Sequence, residues 1–170
     1  MADGVEIRQG RTSDAPMTSA YMHELLAEGL DVYALPNPAP TPERQVGWIG
    51  QIEQTPNAFV LLAVTGSRVV GILDFRPEDK RGRTSSGSFG MSVAHDFRRA
   101  GIGRRMVEAM IARARSDRPD LRRIELEVVP WNTPAIALYE AFGFRLEAVK
   151  EKAIAFRGKP EALHLMAKTW

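Results

Sequence analysis

Glycine and arginine are concentrated at one predicted helix start, in the stretch HDFRRAGIGRRMVEAM at residues 95–110. The first turn of a helix has N–H groups without intrahelical partners, and the helix dipole makes that end attractive to anions. Gly101 and Gly103 carry no side chain, so a phosphate group can reach the backbone there. Arginines at a helix start oppose the dipole unless an anion lies between them. We therefore predict a phosphate or pyrophosphate site at this turn.

The spacing of these residues selects among phosphate-binding motifs. A Walker loop requires GxxxxGK[ST], which the sequence does not contain, and Met106 occupies the third glycine position of the dinucleotide fingerprint GxGxxG. What remains is the pattern [RQ]xxGxG, formed by Arg98, Gly101 and Gly103 after a predicted strand. A basic, solvated helix start, in which the glycines serve only the turn geometry, is the alternative interpretation.

A second motif, NTPAIALYEAFGF at residues 132–144, follows the next predicted strand. Together with VAHDFRRAGIGRRMV at 93–107, it resembles the GNAT superfamily of acetyl-CoA-dependent N-acyltransferases. The resemblance is strong over residues 86–146, and the spacing from LEV to Asn132 is similar to that of the ribosomal-protein N-terminal acetyltransferase branch. It implies an enzyme that moves an acetyl group from acetyl-CoA to a primary amine by direct attack on the thioester.

The resemblance also implies where coenzyme A binds. Its pyrophosphate is expected at the turn residues Arg98, Arg99, Ala100, Gly101, Ile102, Gly103 and Arg104. The pantetheine arm is expected to pair with the preceding strand, and an N–H of that strand would polarise the thioester carbonyl. The strand residues concerned are Met91, Ser92 and Val93.

Two further positions are expected to border the pantetheine arm. Asn132 matches the family asparagine that contacts the arm, although asparagine also suits a helix N-cap. Ala135 lies one turn before Tyr139 on the same helix face, where we expect a wall narrow enough for the arm.

Two residues are expected to move protons. Tyr139 matches the tyrosine near the cofactor sulfur and would protonate the departing thiolate, whereas a core tyrosine is the alternative. The acceptor amine, with a pKa near about 10, must lose a proton before it attacks. Glu127 alternates with the apolar residues of its strand, so it points to the opposite sheet face. It matches the glutamate that serves as base in the N-terminal acetyltransferase branch, directly or through water; a salt bridge to a neighbouring arginine is the alternative.

Periodic apolar patterns define the elements that must position these residues. We predict an α/β (α+β) fold, a single GNAT-like domain over residues 1–170, whose mixed, mostly antiparallel sheet of roughly six to seven strands is flanked by about four helices. The resemblance implies that the central strands 88–94 and 123–129 run parallel and splay apart, with the cofactor entering the gap and the amine approaching from the other side. Predicted strands cover 5–8, 58–64, 69–75, 88–93, 122–129, 144–152 and 161–168; predicted helices cover 15–28, 42–54, 101–115 and 132–143.

Composition narrows the class of partners. The sequence has no cysteine, which excludes disulfides and cysteine nucleophiles and agrees with a mechanism that forms no covalent enzyme intermediate. The net charge of +2 does not indicate a nucleic-acid partner, and no apolar run approaches a membrane span. His23, His95 and His164 lack ligand spacing, so we predict no metal. The first residues show no signal-peptide pattern, and a cytoplasmic protein is expected.

The acceptor amine stays open on sequence grounds. Substrate contacts in the family come from the region between the first two helices, here residues 28–45, and from the last strand pair, here residues 146–163. The N-terminal acetyltransferase branch tends to carry an aromatic pair in that hairpin, whereas this chain has KEKAIAF, and Trp131 suits either the substrate gap or the core. A small amine, an amino acid derivative, an antibiotic and a peptide N-terminus all fit. A non-catalytic acetyl-CoA-binding sensor is the competing function, and a homodimer is compatible with the family.

Overall fold

The computed structural model of the chain describes residues 4–29, 37–78 and 84–170. The described strands are β1 Glu6–Gln9, β2 Phe59–Thr65, β3 Arg68–Glu78, β4 Ser86–Val93, β5 Arg123–Val128, β6 Arg145–Phe156 and β7 Lys159–Thr169. The described α-helices are α1 Ala15–Ala27, α2 Pro42–Gln54, α3 Ile102–Asp117 and α4 Thr133–Ala141. Residues 30–36, which belong to the predicted substrate-contacting segment, lie outside the described residues.

All strands in the described ranges belong to one mixed sheet with the order β1-β2-β3-β4-β5-β7-β6. Neighbouring strands are antiparallel except β4 and β5, which are parallel. Their pairing covers residues 86–88 of β4 and 123–125 of β5 and then stops. Since β4 continues to Val93 and β5 to Val128, the two strands part towards their C-terminal ends. The predicted fold, including the splayed parallel pair, is confirmed.

Helices cover both faces of the sheet. The α3/α4 face carries the larger core cluster, in which the apolar stripe of α3 packs against strand residues such as Phe89 and Leu126. The α1/α2 face carries a second cluster, in which Tyr21 of α1 and Ile52 of α2 pack over β2 and β3. None of the helices in the described ranges has the length and apolar character that a membrane crossing requires.

Strand register assigns the site residues to these faces, because residues directly opposite each other in a sheet share a face. Ile72, which packs in the cluster under α1, lies opposite Ser92. Ser88 in turn lies opposite Glu125 across the parallel pair. Since alternate residues of a strand share a face, Ser92, Glu125 and Glu127 all point to the α1/α2 face.

Candidate active site

The turn between β4 and α3 contains two residues with left-handed backbone, Arg99 (φ 59°) and Gly101 (φ 78°). This conformation costs on the order of 1 kcal/mol at a residue with a side chain, such as Arg99. At the start of α3, the Arg105 N–H donates to the Gly101 carbonyl (3.1 Å). The N–H groups of residues 102–104 therefore precede the hydrogen-bond ladder of α3 and lie at the positive end of its dipole.

The two glycines of the turn serve different purposes. A Cβ at Gly101 would meet no atom within 4 Å, so the left-handed backbone is what favours glycine there. A Cβ at Gly103 would lie 3.3 Å from Leu138 Cδ2 of α4 and 3.5 Å from Met91 Cε of β4. Gly103 thus lies where β4, α3 and α4 converge. Open space at Gly101 fits a phosphate group resting on this backbone, whereas Gly103 allows α3 to pack closely against α4 and β4.

Arg98 ties the turn to the end of α1. Its Nε donates to the Val93 carbonyl (2.9 Å), and its Nη2 donates to the Glu28 carboxylate. The same carboxylate accepts the His95 N–H (2.8 Å). These bonds hold both sides of the turn against α1, so Arg98 has a positioning role here, and its predicted contact with phosphate stays a prediction.

The other three arginines of the turn leave the start of α3 in different directions. Arg105 donates to the Val5 carbonyl (2.8 Å), and the Arg104 guanidinium lies 5.3 Å from the ring centroid of Phe142. Arg99 and Arg104 are exposed. Because positive charge near a helix start is unfavourable without an anion, we expect these two guanidinium groups to meet one.

Strand β4 offers one paired and one open edge to the site. Residues 91–93 pair with β3 on one side, while the pairing with β5 on the other side ends at Ser88. On the α1/α2 face, Ser92 Oγ accepts a hydrogen bond from the Tyr21 hydroxyl (2.9 Å). Met91 and Val93 pack against the core of the opposite face. The backbone edge between them is open to an extended ligand.

Tyr21, the partner of Ser92, is only 1% exposed. Burial raises the pKa of Tyr21 well above the ordinary value of 10.0, so its hydroxyl stays protonated and can donate throughout the physiological range. This partly buried hydrogen bond fixes β4 to α1 beside the gap between β4 and β5.

Glu125, the last residue of β5 that pairs with β4, is neutralised by an arginine. Arg123 Nε contacts the Glu125 carboxylate, and Arg123 Nη1 donates to Glu147 (2.9 Å). The hydrogen bond to Glu147 is the largest cause that raises the pKa of Arg123 above its ordinary value, and the hydrogen bond to Glu125 adds a smaller contribution. Glu125 is therefore committed to a structural ion pair.

Glu127 is paired with a lysine. Lys150 Nζ of β6 donates to Glu127 Oε1, and this hydrogen bond raises the pKa of Lys150 above its ordinary value. The side chains are 47% and 37% exposed, respectively. The alternative interpretation of Glu127 was a salt bridge to a neighbouring arginine; a salt bridge is present, but its partner is Lys150. The carboxylate stays accessible from the α1/α2 face, so the ion pair is compatible with the predicted role as base.

The start of α4 has the side-chain cap that was the alternative interpretation of Asn132. Asn132 Oδ1 accepts the Ala135 N–H (3.3 Å), which is the side-chain cap that its position suggested. Asn132 is exposed and Ala135 is half-buried. Both residues therefore keep a surface towards solvent at the helix end nearest β5, and their predicted contact with the pantetheine arm stays a prediction.

Tyr139 of α4 belongs to the core of the α3/α4 face and is 7% exposed. Its ring lies edge-on to Phe89, with centroids 5.7 Å apart, and 6.1 Å from the ring of Phe144. Phe89 is the first residue of β4 beyond the pairing with β5. The ring of Tyr139 thus packs in the core, as the alternative interpretation had it, and does so at the point where the two strands part.

An aromatic pair, formed by an exposed tryptophan and a half-buried phenylalanine, lies beyond the end of β5. Trp131, 44% exposed, contacts Phe156 of the β6–β7 hairpin with ring centroids 4.7 Å apart. The Arg157 guanidinium lies 5.2 Å from the Phe156 ring. The hairpin therefore does contribute to an aromatic pair, but its second member comes from the β5–α4 loop, which the sequence of the hairpin alone could not indicate. Trp131 lies at the surface and not over the core.

The chain is similar in sequence to known proteins. The profile of the Acetyltransferase (GNAT) family matches residues 23–144. The L-amino acid N-acetyltransferase AaaT of Escherichia coli (strain K12) is 26% identical over 121 residues, which are 71% of this chain and 74% of that protein.

Solved structures extend the likeness to nearly the whole chain. The ribosomal-protein-alanine N-acetyltransferase of Brucella melitensis has a TM-score of 0.83 at 23% identity, covering 97% of this chain and 99% of the other. The protein YncA of Salmonella typhimurium, solved with its cofactor acetyl-CoA, has a TM-score of 0.81 at 16% identity, covering 98% and 94%. At these identities, the structural likeness establishes the fold.

Proposed function

The chain belongs to the Acetyltransferase (GNAT) family and is an N-acetyltransferase, and we propose that it moves the acetyl group of acetyl-CoA to a primary amine by direct attack on the thioester. The observation that carries this proposal is the parting of β4 from β5. The β4–α3 turn and Tyr139 lie on one side of the sheet at this gap, and Glu127 lies on the other side. Such a gap lets donor and acceptor approach from opposite faces of the sheet and meet between the strands.

Acetyl-CoA supplies the acyl group in activated form, as a thioester. Arg98 and the backbone N–H groups of residues 99–104 would hold its pyrophosphate, because the helix dipole and the unpaired donors act in the same direction. The open edge of β4 at 91–93 would bind the pantetheine arm as an added strand, and one of its N–H groups would polarise the carbonyl. Asn132 and Ala135 would border the arm. The acetyl-CoA in the similar YncA structure supports this co-substrate.

Glu127 is the proposed general base. A primary amine with a pKa near about 10 is mostly protonated at neutral pH and must lose a proton to attack. The Glu127 carboxylate is partly exposed on the face from which the amine would approach. It would take the proton directly or through a water molecule and pass it to solvent.

Tyr139 is the proposed acid. The edge-on contact with Phe89 fixes its ring beside the start of the gap. Its phenolic hydroxyl would donate a proton to the thiolate that leaves. The base and the acid thus act from opposite faces of the sheet, one on each reacting group.

Thiol release from acetyl-CoA tests the proposal. The panel contains L-amino acids, amino acid amides, polyamines and short peptides, and mass spectrometry identifies the product. Amine-dependent release with a matching acetylated amine supports the proposed reaction. Acetyl-CoA binding by calorimetry without release towards any amine identifies a sensor and overturns catalysis. A chain that does not bind acetyl-CoA overturns the assignment of the co-substrate.

A further inference from the structure

Lys150 reaches Glu127 across an intervening strand. The two residues belong to β6 and β5, and β7 lies between these strands in the sheet. Glu127 lies opposite Leu165 of β7, and Lys150 lies opposite Leu163, so both side chains point to the α1/α2 face. Because neighbouring strands are about 4.8 Å apart, β5 and β6 are separated by roughly 10 Å, and the lysine must extend over β7 to make the contact.

Among residues 4–29, 37–78 and 84–170, the charges around this ion pair leave Lys150 with one carboxylate partner. Glu125 is near enough to raise the pKa of Lys150, but after the larger effect of Glu127, and it is itself bound by Arg123. Glu147 is bound by the same arginine. In the described part of the chain, Glu127 is therefore the carboxylate that neutralises Lys150, because Glu125 and Glu147 pair with Arg123.

The pair is open to solvent and easily exchanged. Both side chains are more than one third exposed, and ion pairs of this kind contribute about 0–1 kcal/mol to stability. If an acceptor ammonium binds Glu127, as the proposed function requires, Lys150 loses its counter-charge. A substrate that also carries a carboxylate beside its ammonium would restore both pairings at once.

We propose that the acceptor is a free α-amino acid, with its ammonium on Glu127 and its carboxylate on Lys150. This inference rests on the proposed function and adds the class of substrate. A peptide N-terminus carries a neutral amide in place of the carboxylate, and a simple amine carries nothing there, so Lys150 discriminates against both. Lys150 is a specificity-determining residue, and the attack itself involves only the amine.

Steady-state kinetics with three matched acceptors test the proposal. They are an L-amino acid from the active panel, its carboxamide, and the amine that lacks the carboxyl group altogether. The wild type is expected to prefer the free amino acid. Lys150→Met should lower the preference for the amino acid over its amide by about tenfold or more, chiefly through KM, as expected for loss of a charged hydrogen bond. Lys150→Arg should retain the preference.

Lys152→Met is the matched control. Lys152 lies two residues away on the same exposed strand and should leave the amino acid-to-amide preference unchanged. Thermal denaturation of each variant checks folding. A wild type that favours the amide, or a Lys150→Met variant whose preference equals that of the wild type, overturns this inference and leaves the proposed function standing. Failure to acetylate any amine overturns the proposed function as well.

Discussion

The ring of Tyr139 meets Phe89 edge-on, with 5.7 Å between the ring centroids, at the residue where β4 leaves β5. Tyr139 thus both packs in the core and is the residue proposed as the acid. The tyrosine ring supports the wall of the gap, and the hydroxyl is the part of the side chain that the proposed reaction needs.

Removing only that hydroxyl separates the two roles. Tyr139→Phe keeps the ring contacts with Phe89 and Phe144, so we expect a change of about 1.5 kcal/mol or less in the free energy of unfolding. Turnover should fall about 10²-fold or more, because a positioned proton donor is lost, while acetyl-CoA affinity changes little. Stopped assays for kcat and calorimetry for affinity make the comparison. Unchanged turnover would show that Tyr139 is not the donor.

A charged side chain at Gly103 should abolish acetyl-CoA binding. Gly103→Glu brings both bulk and negative charge to the point where β4, α3 and α4 converge. Gly47→Glu is the matched control, because Gly47 lies on an exposed position of α2 with no atom within 4 Å of an added Cβ. Calorimetric titration should detect binding only in the control. Equal affinity in both variants would exclude the turn as the binding site.

Neutralising Glu127 should reduce catalysis without unfolding the protein. Glu127→Gln is expected to lower kcat by about 10²–10⁴-fold, the usual contribution of a general base. Stability should change little, since the Lys150 pair is exposed. Glu125→Gln, on the same face of the same strand, is the control and should retain activity. The proposal fails if the two variants lose activity to the same extent.

Burial of the Tyr21 hydroxyl predicts an alkaline loss of stability. The folded-state pKa of Tyr21 is raised, so the proton is held more tightly in the folded protein than in the unfolded chain. Its contribution is complete below pH 10 and declines above it, by up to about 1.4 kcal/mol per pH unit. Tyr21→Phe removes this component, so the stability difference from the wild type should shrink between pH 9 and pH 11. Urea denaturation at both pH values measures it; a constant difference would contradict the assignment.

Local signals predicted an element well where characteristic residues mark its ends. Helix α2 has the predicted bounds, 42–54, because Pro42 stands at its first position and Thr41 Oγ1 accepts the Arg44 N–H. The β6–β7 hairpin was predicted too short. Its turn is formed by Arg157 (φ 49°) and Gly158 (φ 74°), and an arginine is not the residue that normally marks a turn of this type.

Contacts between distant residues could not be predicted. Glu28 meets Arg98 because α1 ends beside the β4–α3 turn, and no sequence pattern links positions 70 residues apart. Lys150 meets Glu127 because β7 lies between β5 and β6, which follows from strand order and register. The motif residues 98–104 and 132–144 are the local signals on which the predicted site rests, while the charges around it depended on the fold.

A crystal structure with acetyl-CoA bound tests the central claim most directly. We expect the pyrophosphate to lie on the backbone N–H groups of residues 99–104, with the pantetheine arm along the open edge of β4 between β4 and β5. A pyrophosphate bound elsewhere on the chain, with this turn left empty, would contradict it.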